Sequence, residues 1–323
     1  MDLEAFLAEW HNESPCVLVH TSGSTGRPKP MLVEKRCMEA SARITCRFLG
    51  LQAGDTALLC MSLDYIAGKM MVVRALTCGL RLVSIAPSGH PLASCHADIV
   101  FAAMVPLQVY NSLQVAEERE RLMRIRHLII GGGAIDETLA NELKSFPNAV
   151  WSTYGMTETL SHIALRRLNG PEASDWYTPF DGVTLSQNAD GCLVIDAPAV
   201  HDGLLVTNDM VEFEGRHFRI IGRKDNVVCS GGLKIQIEEV EHLLKSHLDA
   251  PFCVTKRKDV KFGEVVVLLT EGGVDEARQV CRQALPKHWM PRYYLAVEQV
   301  PLTETGKIAR KEAERLAALA VEV

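Results

Sequence analysis

Between His20 and Pro30 the chain packs four hydroxyls (Thr21, Ser22, Ser24, Thr25), two glycines (Gly23, Gly26) and two cations (Arg27, Lys29). Such a stretch can cradle phosphate. Glycine lets the backbone come close to a ligand, hydroxyls and amides donate to phosphate oxygens, and Lys29 adds charge. The Walker pattern is absent, because Pro28 stands where its second glycine would fall. Composition alone serves a plain Ser/Gly/Pro turn equally well. A second group, Tyr154-Gly155-Met156-Thr157-Glu158, offers a hydroxyl and a carboxylate side by side. A hard cation bound to phosphate takes one or two carboxylates and keeps several waters, so Glu158 suits that task; a helix-capping Thr and a surface Glu would look the same.

These residues need a scaffold. Apolar runs at 17–20, 57–61, 81–85, 98–102 and 127–130 alternate with segments of helical spacing at 34–49 and 67–78. That order predicts an α/β fold with a large N-terminal α/β domain built on a largely parallel sheet. From Gly191 the texture changes to strand pairs, at 193–196, 203–207, 211–213 and 217–221, the last two around a Glu214-Gly215 turn, which predicts a small β subdomain. Beyond Gly222-Arg223-Lys224-Asp225 a helix at 237–248, a strand at 264–270, a helix at 274–284 and a strand at 293–297 predict a separate, mobile α+β C-terminal domain. The expected division is 1–222, a hinge at 223–226, and 227–323.

Composition narrows the classes. A chain of 323 residues that is 47% hydrophobic can bury a sizeable core, which speaks against disorder. A net charge of -6 argues against non-specific binding of nucleic acid. The most apolar stretch, near 70–86, is broken by Arg74 and Arg81, so no membrane insertion is expected. The N-terminus carries Asp2, Glu4 and Glu9 in place of a basic start, so no signal peptide is expected and the location predicted is cytoplasmic. Ten cysteines are scattered from Cys16 to Cys281 with no Cys-x-x-Cys pair, which predicts reduced, buried thiols, and the histidines have no metal-like spacing.

Taken in order, the motifs resemble those of the acyl- and aryl-adenylate-forming (AMP-binding) enzymes, over nearly the whole chain. The loop matches Thr-Ser-Gly-Ser/Thr-Thr-Gly-x-Pro-Lys, which implies that Thr21, Ser22, Gly23, Ser24, Thr25, Gly26 and Lys29 contact the β- and γ-phosphates of ATP. Gly131-Gly132-Gly133-Ala134 resembles the adenine-contacting loop. Tyr154-Gly155-Met156-Thr157-Glu158 resembles Tyr-Gly-x-Thr-Glu, which implies that Thr157 bonds the α-phosphate and Glu158 holds Mg²⁺. Thr207-Asn208-Asp209 resembles Thr-Gly-Asp with a departure at Asn208, and implies that Asp209, expected at the end of a strand, takes the ribose hydroxyls. Gly222 to Asn226 with Ser230-Gly231-Gly232-Leu233-Lys234 resembles the hinge motif: Arg223 would reach the nucleotide, Asp225 would be the pivot, and Lys234 a polar contact in the interdomain cleft. Pro301-Leu302-Thr303-Glu304-Thr305-Gly306-Lys307 resembles Pro-x-Thr-x-x-Gly-Lys, which makes Lys307 the catalytic lysine. The resemblance implies adenylation of an acid with ATP and Mg²⁺, then transfer to CoA.

Only twenty residues precede Thr21, and that compactness, with the stretch Glu158-Thr159-Leu160-Ser161-His162-Ile163-Ala164-Leu165-Arg166, resembles the o-succinylbenzoate-CoA ligases of menaquinone biosynthesis. Many relatives carry an aromatic-rich motif with a histidine near 59–68, where this chain has Tyr65 as the only aromatic of Ser62-Leu63-Asp64-Tyr65-Ile66-Ala67-Gly68-Lys69. An acid with two carboxylates and a ketone needs a polar or cationic partner for the carboxylate that is not activated. Lys69, Ser161 and His162 are the candidates. The alternatives are another aryl- or acyl-CoA ligase, a carrier-loading adenylation enzyme, and a silent AMP-binding regulator.

Overall fold

A computed structural model describes residues 1–20, 30–133, 135, 137–303 and 307–319. By contacts the chain divides into two compact units: Met1–Ser186, Val194–Leu205 and Phe213–Arg219 form the first, and Gln187–Leu193, Val206–Glu212 and Ile220–Val323 the second.

The first unit opens with helix α1 (Leu3–His11), then strands β1 (Cys16–His20) and β2 (Pro30–Glu34), which pair antiparallel from Cys16↔Glu34 to His20↔Pro30. This two-stranded sheet brackets residues 21–29. The run at 17–20, expected among the parallel strands, belongs instead to this separate ribbon. Its outward residues, Leu18 and Leu32, are exposed, and a strand buried on both faces would not leave them so.

Helix α2 (Lys35–Leu49) buries Met38, Ala42, Thr45, Cys46 and Leu49, positions that recur with the helical period, so one stripe faces inward. Strand β3 (Thr56–Leu59), helix α3 (Ile66–Cys78) and strand β4 (Arg81–Ser84) follow. Residues 68–75 of α3 are buried on every side, the pattern of a helix enclosed by protein. The remaining elements are β5 (Phe101–Met104), α4 (Pro106–Leu113), α5 (Ala116–Arg124), β6 (His127–Ile130), α6 (Glu137–Leu143), β7 (Ala149–Gly155), β8 (His162–Arg167) and β9 (Thr178–Pro179). They build a seven-stranded sheet of order β4-β3-β5-β6-β7-β8-β9, parallel from β4 to β7 and antiparallel at β8 and β9. Strands β3 and β5 are buried at every residue, as parallel strands covered on both faces must be. The run expected at 98–102 starts three residues late: Val100 donates to Thr56 O (3.0 Å) as a lead-in, and strand pairing begins at Phe101.

Strands β10 (Thr184–Gln187), β11 (Cys192–Asp196), β12 (Leu204–Glu214) and β13 (His217–Arg223) form a four-stranded sheet in that order, its residues divided between the units. The two strands expected at 203–207 and 211–213 are one continuous strand, β12. Asp209 therefore lies within a strand and not at its end, as its alternating burial from Thr207 to Val211 requires.

The second unit continues with β14 (Val227–Ser230), β15 (Leu233–Gln236), α7 (Ile237–Lys245), β16 (Phe252–Asp259), β17 (Gly263–Thr270), α8 (Val274–Ala284), β18 (Tyr293–Ala296) and α9 (Arg310–Ala317). Its five-stranded sheet runs β15-β14-β17-β16, with β18 parallel to β17. Apolar residues of α7 and α8 pack on one side, and Ala313 and Ala317 of α9 pack with Cys253, Val265 and Val267 in a second cluster. All ten cysteines are free; seven are buried, Cys16 and Cys78 intermediate, and Cys229 alone exposed. Among the described residues no helix is long and apolar enough to cross a membrane.

Candidate active site

The parallel strands end together. Strands β3 to β6 end at Leu59, Ser84, Met104 and Ile130, with β7 running on to Gly155, and in open α/β sheets ligands bind beyond the carboxyl ends of the strands. Gly131, Gly132 and Gly133 follow β6 at this edge. Gly131 donates to Met104 O (3.1 Å), and a Cβ there would stand 2.4 Å from Thr153 Oγ1. Gly155, closing β7, is tighter: a Cβ would meet Ser161 O at 2.3 Å and His162 Cα at 2.5 Å, so the chain returns on itself with no room for a side chain. The register with β8 shifts at this point, as at a bulge.

Between the two passes lies a single 3-10 turn, Thr157–Thr159. Thr159 Oγ1 accepts from Met156 N (3.1 Å) and lies 2.8 Å from Ser161 O. Leu160, at φ 64°, closes the turn with a positive φ that costs a non-glycine residue energy. The result presents Thr157, buried, and Glu158, half-buried, at the carboxyl edge of β7. Tyr154 packs edge-on against Phe218 (5.2 Å between centroids), which fixes the strand from which the turn springs.

Behind this turn stands a buried polar group. Arg74, 2% exposed and midway along α3, donates from Nη2 to Ser161 Oγ (2.6 Å). Ser161 Oγ lies 3.1 Å from His162 Nδ1, whose Nε2 lies 3.1 Å from Thr45 Oγ1, and Thr45 donates to Ser41 O (3.1 Å). Among the described residues Arg74 Nε has no hydrogen-bond partner, and no carboxylate pairs with the guanidinium. Burial pushes its pKa down to about 10, so it stays charged at neutral pH. Arg74 interrupts the apolar run near 70–86. An arginine inside a helix buried on all sides was the available signal that it does more than break a hydrophobic stretch.

Lys69, one turn earlier on α3, is occupied elsewhere. Its Nζ donates to Leu18 O (3.1 Å), pairs with Glu9 (3.5 Å) and lies over the Phe6 ring (5.1 Å), bracing α1 and β1. Burial first, and the Arg74 charge second, hold the His162 imidazole well below the usual histidine range. The sign follows: the unfolded chain takes up a proton near pH 6.5 that the folded imidazole refuses, so stability is complete above that pH and falls below it. Between pH 6.5 and 5.5 this histidine should remove about 1 kcal/mol of stability. Denaturant melts across that range should give His162→Asn a flatter profile than the parent; parallel profiles would rule out a neutral buried imidazole.

The second unit holds a different set. Thr207 Oγ1 donates to Leu193 O (2.9 Å) and accepts from Asp209 N (3.1 Å), and Arg223 Nη1 donates to Asp209 Oδ1 (2.7 Å). Arg223 Nη2 also reaches Asp225 Oδ2 (3.2 Å), which accepts from Asn208 Nδ2 (3.0 Å). Asn208, the departure from the family pattern, thus binds Asp225. Lys224 pairs with Asp190 (2.7 Å), and Lys234 is exposed on β15 opposite Cys229. Thr303 N donates to Lys307 O (2.7 Å), and Lys307 N donates to Thr303 Oγ1 (3.1 Å). Desolvation, then the Arg223 charge, lowers the Lys307 pKa against an opposing pull from Asp209. Lys307, Arg223 and Asp209 therefore share one electrostatic neighbourhood. On the sheet β15-β14-β17-β16, a cavity of about 390 Å³ is lined by Ser230, Gly231, Phe262, Lys287, His288 and Arg292, with the Arg292 guanidinium 3.7 Å from the Phe262 ring centroid.

Of the residues predicted from sequence, Thr157 and Glu158 share one turn, Ser161 and His162 share the Arg74 network, and Asp209, Arg223, Asp225 and Lys307 belong to the second unit. Thr21, Ser22, Gly23, Ser24, Thr25, Gly26, Lys29 and Ala134 lie outside the described residues. Among the described residues no three His, Cys, Asp or Glu side chains converge as a metal cage. A half-buried carboxylate such as Glu158, with phosphate oxygens and water completing the shell, is a donor set that fits a hard cation such as magnesium.

The family model described as AMP-binding enzyme matches residues 4–190. The 2-succinylbenzoate--CoA ligase of Bacillus mycoides (strain KBAB4) is 24% identical over 352 residues, 97% of this chain and 73% of that protein. Among solved structures, an acyl-CoA synthetase (AMP-forming)/AMP-acid ligase II-like protein from Dyadobacter fermentans is 33% identical, with 97% of this chain and 92% of that chain covered and a TM-score of 0.67. The o-succinylbenzoate coenzyme A synthetase from Bacillus subtilis, in complex with ATP and magnesium ion, shares the fold at a TM-score of 0.75 with 22% identity, over 91% of this chain and 69% of that one.

Proposed function

The chain belongs to the AMP-binding enzyme family, and from that premise we propose that it is a cytoplasmic ATP-dependent acid–CoA ligase whose acid is o-succinylbenzoate, a step of menaquinone biosynthesis. The observation that carries the choice of acid is the buried Arg74 guanidinium, which has no carboxylate partner among the described residues and is bound to Ser161 beside the Thr157–Thr159 turn. A buried charge without a counterion is costly unless a ligand supplies one. A monocarboxylic acid spends its only carboxylate in the reaction; a dicarboxylic acid brings a second. This role passes from Lys69, occupied by Glu9 and Leu18, to Arg74 with Ser161 and His162.

In the reaction, a carboxylate oxygen attacks the α-phosphorus of ATP, the bond to diphosphate breaks, and an acyl adenylate forms. Two anions must meet, so positioning and charge neutralisation dominate. Thr157 donates to the α-phosphate, Asp209 accepts from the ribose hydroxyls, and Arg223 orients Asp209 through its 2.7 Å bond. Glu158 would hold magnesium, which would withdraw charge from the phosphate oxygens. Lys307 is the mobile cation of this step. Residues 223–226, with Asp225 as pivot, serve as the hinge between 1–222 and 227–323. The thiol of CoA then attacks the acyl carbon and releases AMP. Lys287, His288 and the Arg292–Phe262 stack suit the phosphates and adenine of CoA.

A thioester assay with o-succinylbenzoate, benzoate, coumarate and fatty acids tests the reading. Loss of a group that pairs with a buried charge should lower kcat/KM for benzoate by roughly 10²- to 10⁴-fold. Equal use of benzoate would sink the acid assignment. Absence of carboxylate-dependent pyrophosphate exchange with every acid would sink the ligase itself.

A further inference from the structure

Lys307 lies beside the Leu302–Ile308 bridge and ahead of the start of α9. The chain on either side of Lys307 is held. Leu302 and Ile308 form an antiparallel bridge, Ala309 N donates to Pro301 O (2.8 Å), and α9 begins at Arg310, three residues after Lys307. Arg310 does not point into solvent. Its Nη1 donates to Glu241 Oε1 (2.8 Å) and to Val254 O (2.7 Å), and its Nη2 donates to Glu241 Oε2 (2.7 Å). Glu241, on α7, accepts in turn from Val254 N (2.8 Å). One guanidinium thus joins three elements, α9, α7 and β16, in a two-pronged arrangement that a lysine cannot reproduce.

We propose that Arg310 and Glu241 are positioning residues for Lys307, a clamp that sets where the chain bearing this lysine enters α9. Three residues span at most roughly 11 Å, so displacement of the first turn of α9 passes directly to Lys307. The hydrophobic seating of α9 is separate: Ala313 and Ala317 pack on β16 and β17 through a cluster that does not include Arg310. The clamp therefore tunes aim, and its loss should leave the fold intact. A displacement of about 1 Å in a reacting group costs on the order of 10²-fold in rate.

The proposal rests on the reading of Lys307 as the cation of adenylation, and its test separates the two. Adenylate formation, followed as carboxylate-dependent pyrophosphate exchange, and thioester formation from supplied acyl adenylate are measured for R310A, R310K, E241Q and K307A, each with its melting curve. The clamp predicts that R310A lowers kcat of adenylation about 10- to 100-fold at unchanged KM for ATP, with R310K and E241Q between it and the parent. Thioester formation should stay within about threefold of the parent for all four. Normal adenylation in R310A while K307A is inactive overturns the clamp. Equal loss of both half-reactions in R310A, tracking its melting temperature, also overturns it in favour of a purely structural role. Normal adenylation in K307A overturns the lysine reading, and the clamp with it.

Discussion

Lys307→Ala is expected to reduce adenylate formation by about 10²- to 10³-fold or more, the usual cost of deleting one preorganised group that meets developing charge. The expectation is specific to one half-reaction. The attacking carboxylate and the α-phosphate are both anionic, and a compact ammonium can neutralise them together in a way that neutral side chains cannot. Once the adenylate exists, that repulsion is gone, and attack by a thiol needs no cation between two anions. Thioester formation from supplied adenylate should survive. The structure adds a pH dependence: desolvation and the neighbouring Arg223 lower the pKa of Lys307, so adenylation should decline on the alkaline side earlier than an ordinary lysine would allow. Rapid-quench measurement of each half-reaction against pH checks both points. An unchanged alkaline limb in the thioester step is part of the expected result.

Arg74→Met should have a comparably large effect with an opposite accompaniment. The substitution keeps an unbranched, apolar side chain in a fully buried site and removes a charge with no carboxylate partner among the described residues. Replacing poorly compensated buried charge with hydrophobic volume is often neutral or stabilising, by about 1–4 kcal/mol. The melting temperature should hold or rise. Meanwhile kcat/KM for o-succinylbenzoate should fall roughly 10²- to 10³-fold, since the second carboxylate would be buried unpaired. The KM for ATP should not move. A variant that loses stability and activity in proportion would assign Arg74 to the core and remove the argument for a dicarboxylic acid. The combination of better stability and worse catalysis is the signature of a residue kept for its ligand.

Much of this architecture was legible in the chain, and the failures have physical causes. Strand β6 at His127–Ile130 and helix α8 at Val274–Ala284 coincide with their expected spans, because continuous apolar runs and strong amphipathic periods are local signals. The run at 17–20 pairs with residues 30–34 and not with the parallel sheet, because an apolar run carries no information about its partner strand. Strand β12 is continuous where two strands are expected, since Thr207 and Arg223 satisfy the polar Asp209 inside the strand. Lys69 and Arg74 lie five positions apart on the same helix, and which of two cations faces a polar partner depends on distant chain, Glu9 and Leu18 for one and Ser161 for the other. Motif order points to Lys307 and Glu158 as candidates; it says nothing of Arg310, whose partner Glu241 is remote in sequence.

The distribution of thiols gives the molecule a practical handle. Thiolate is the species that reacts with alkylating probes, and burial raises the pKa of Cys46, Cys60, Cys253 and Cys281, with Cys37, Cys95 and Cys192 shifted the same way. Cys229 alone is exposed, on β14, three residues beyond the segment proposed as the hinge. A fluorophore or spin label added to the unmodified protein should therefore couple there first, and its signal would report rearrangement around residues 223–226 during turnover without any engineered cysteine.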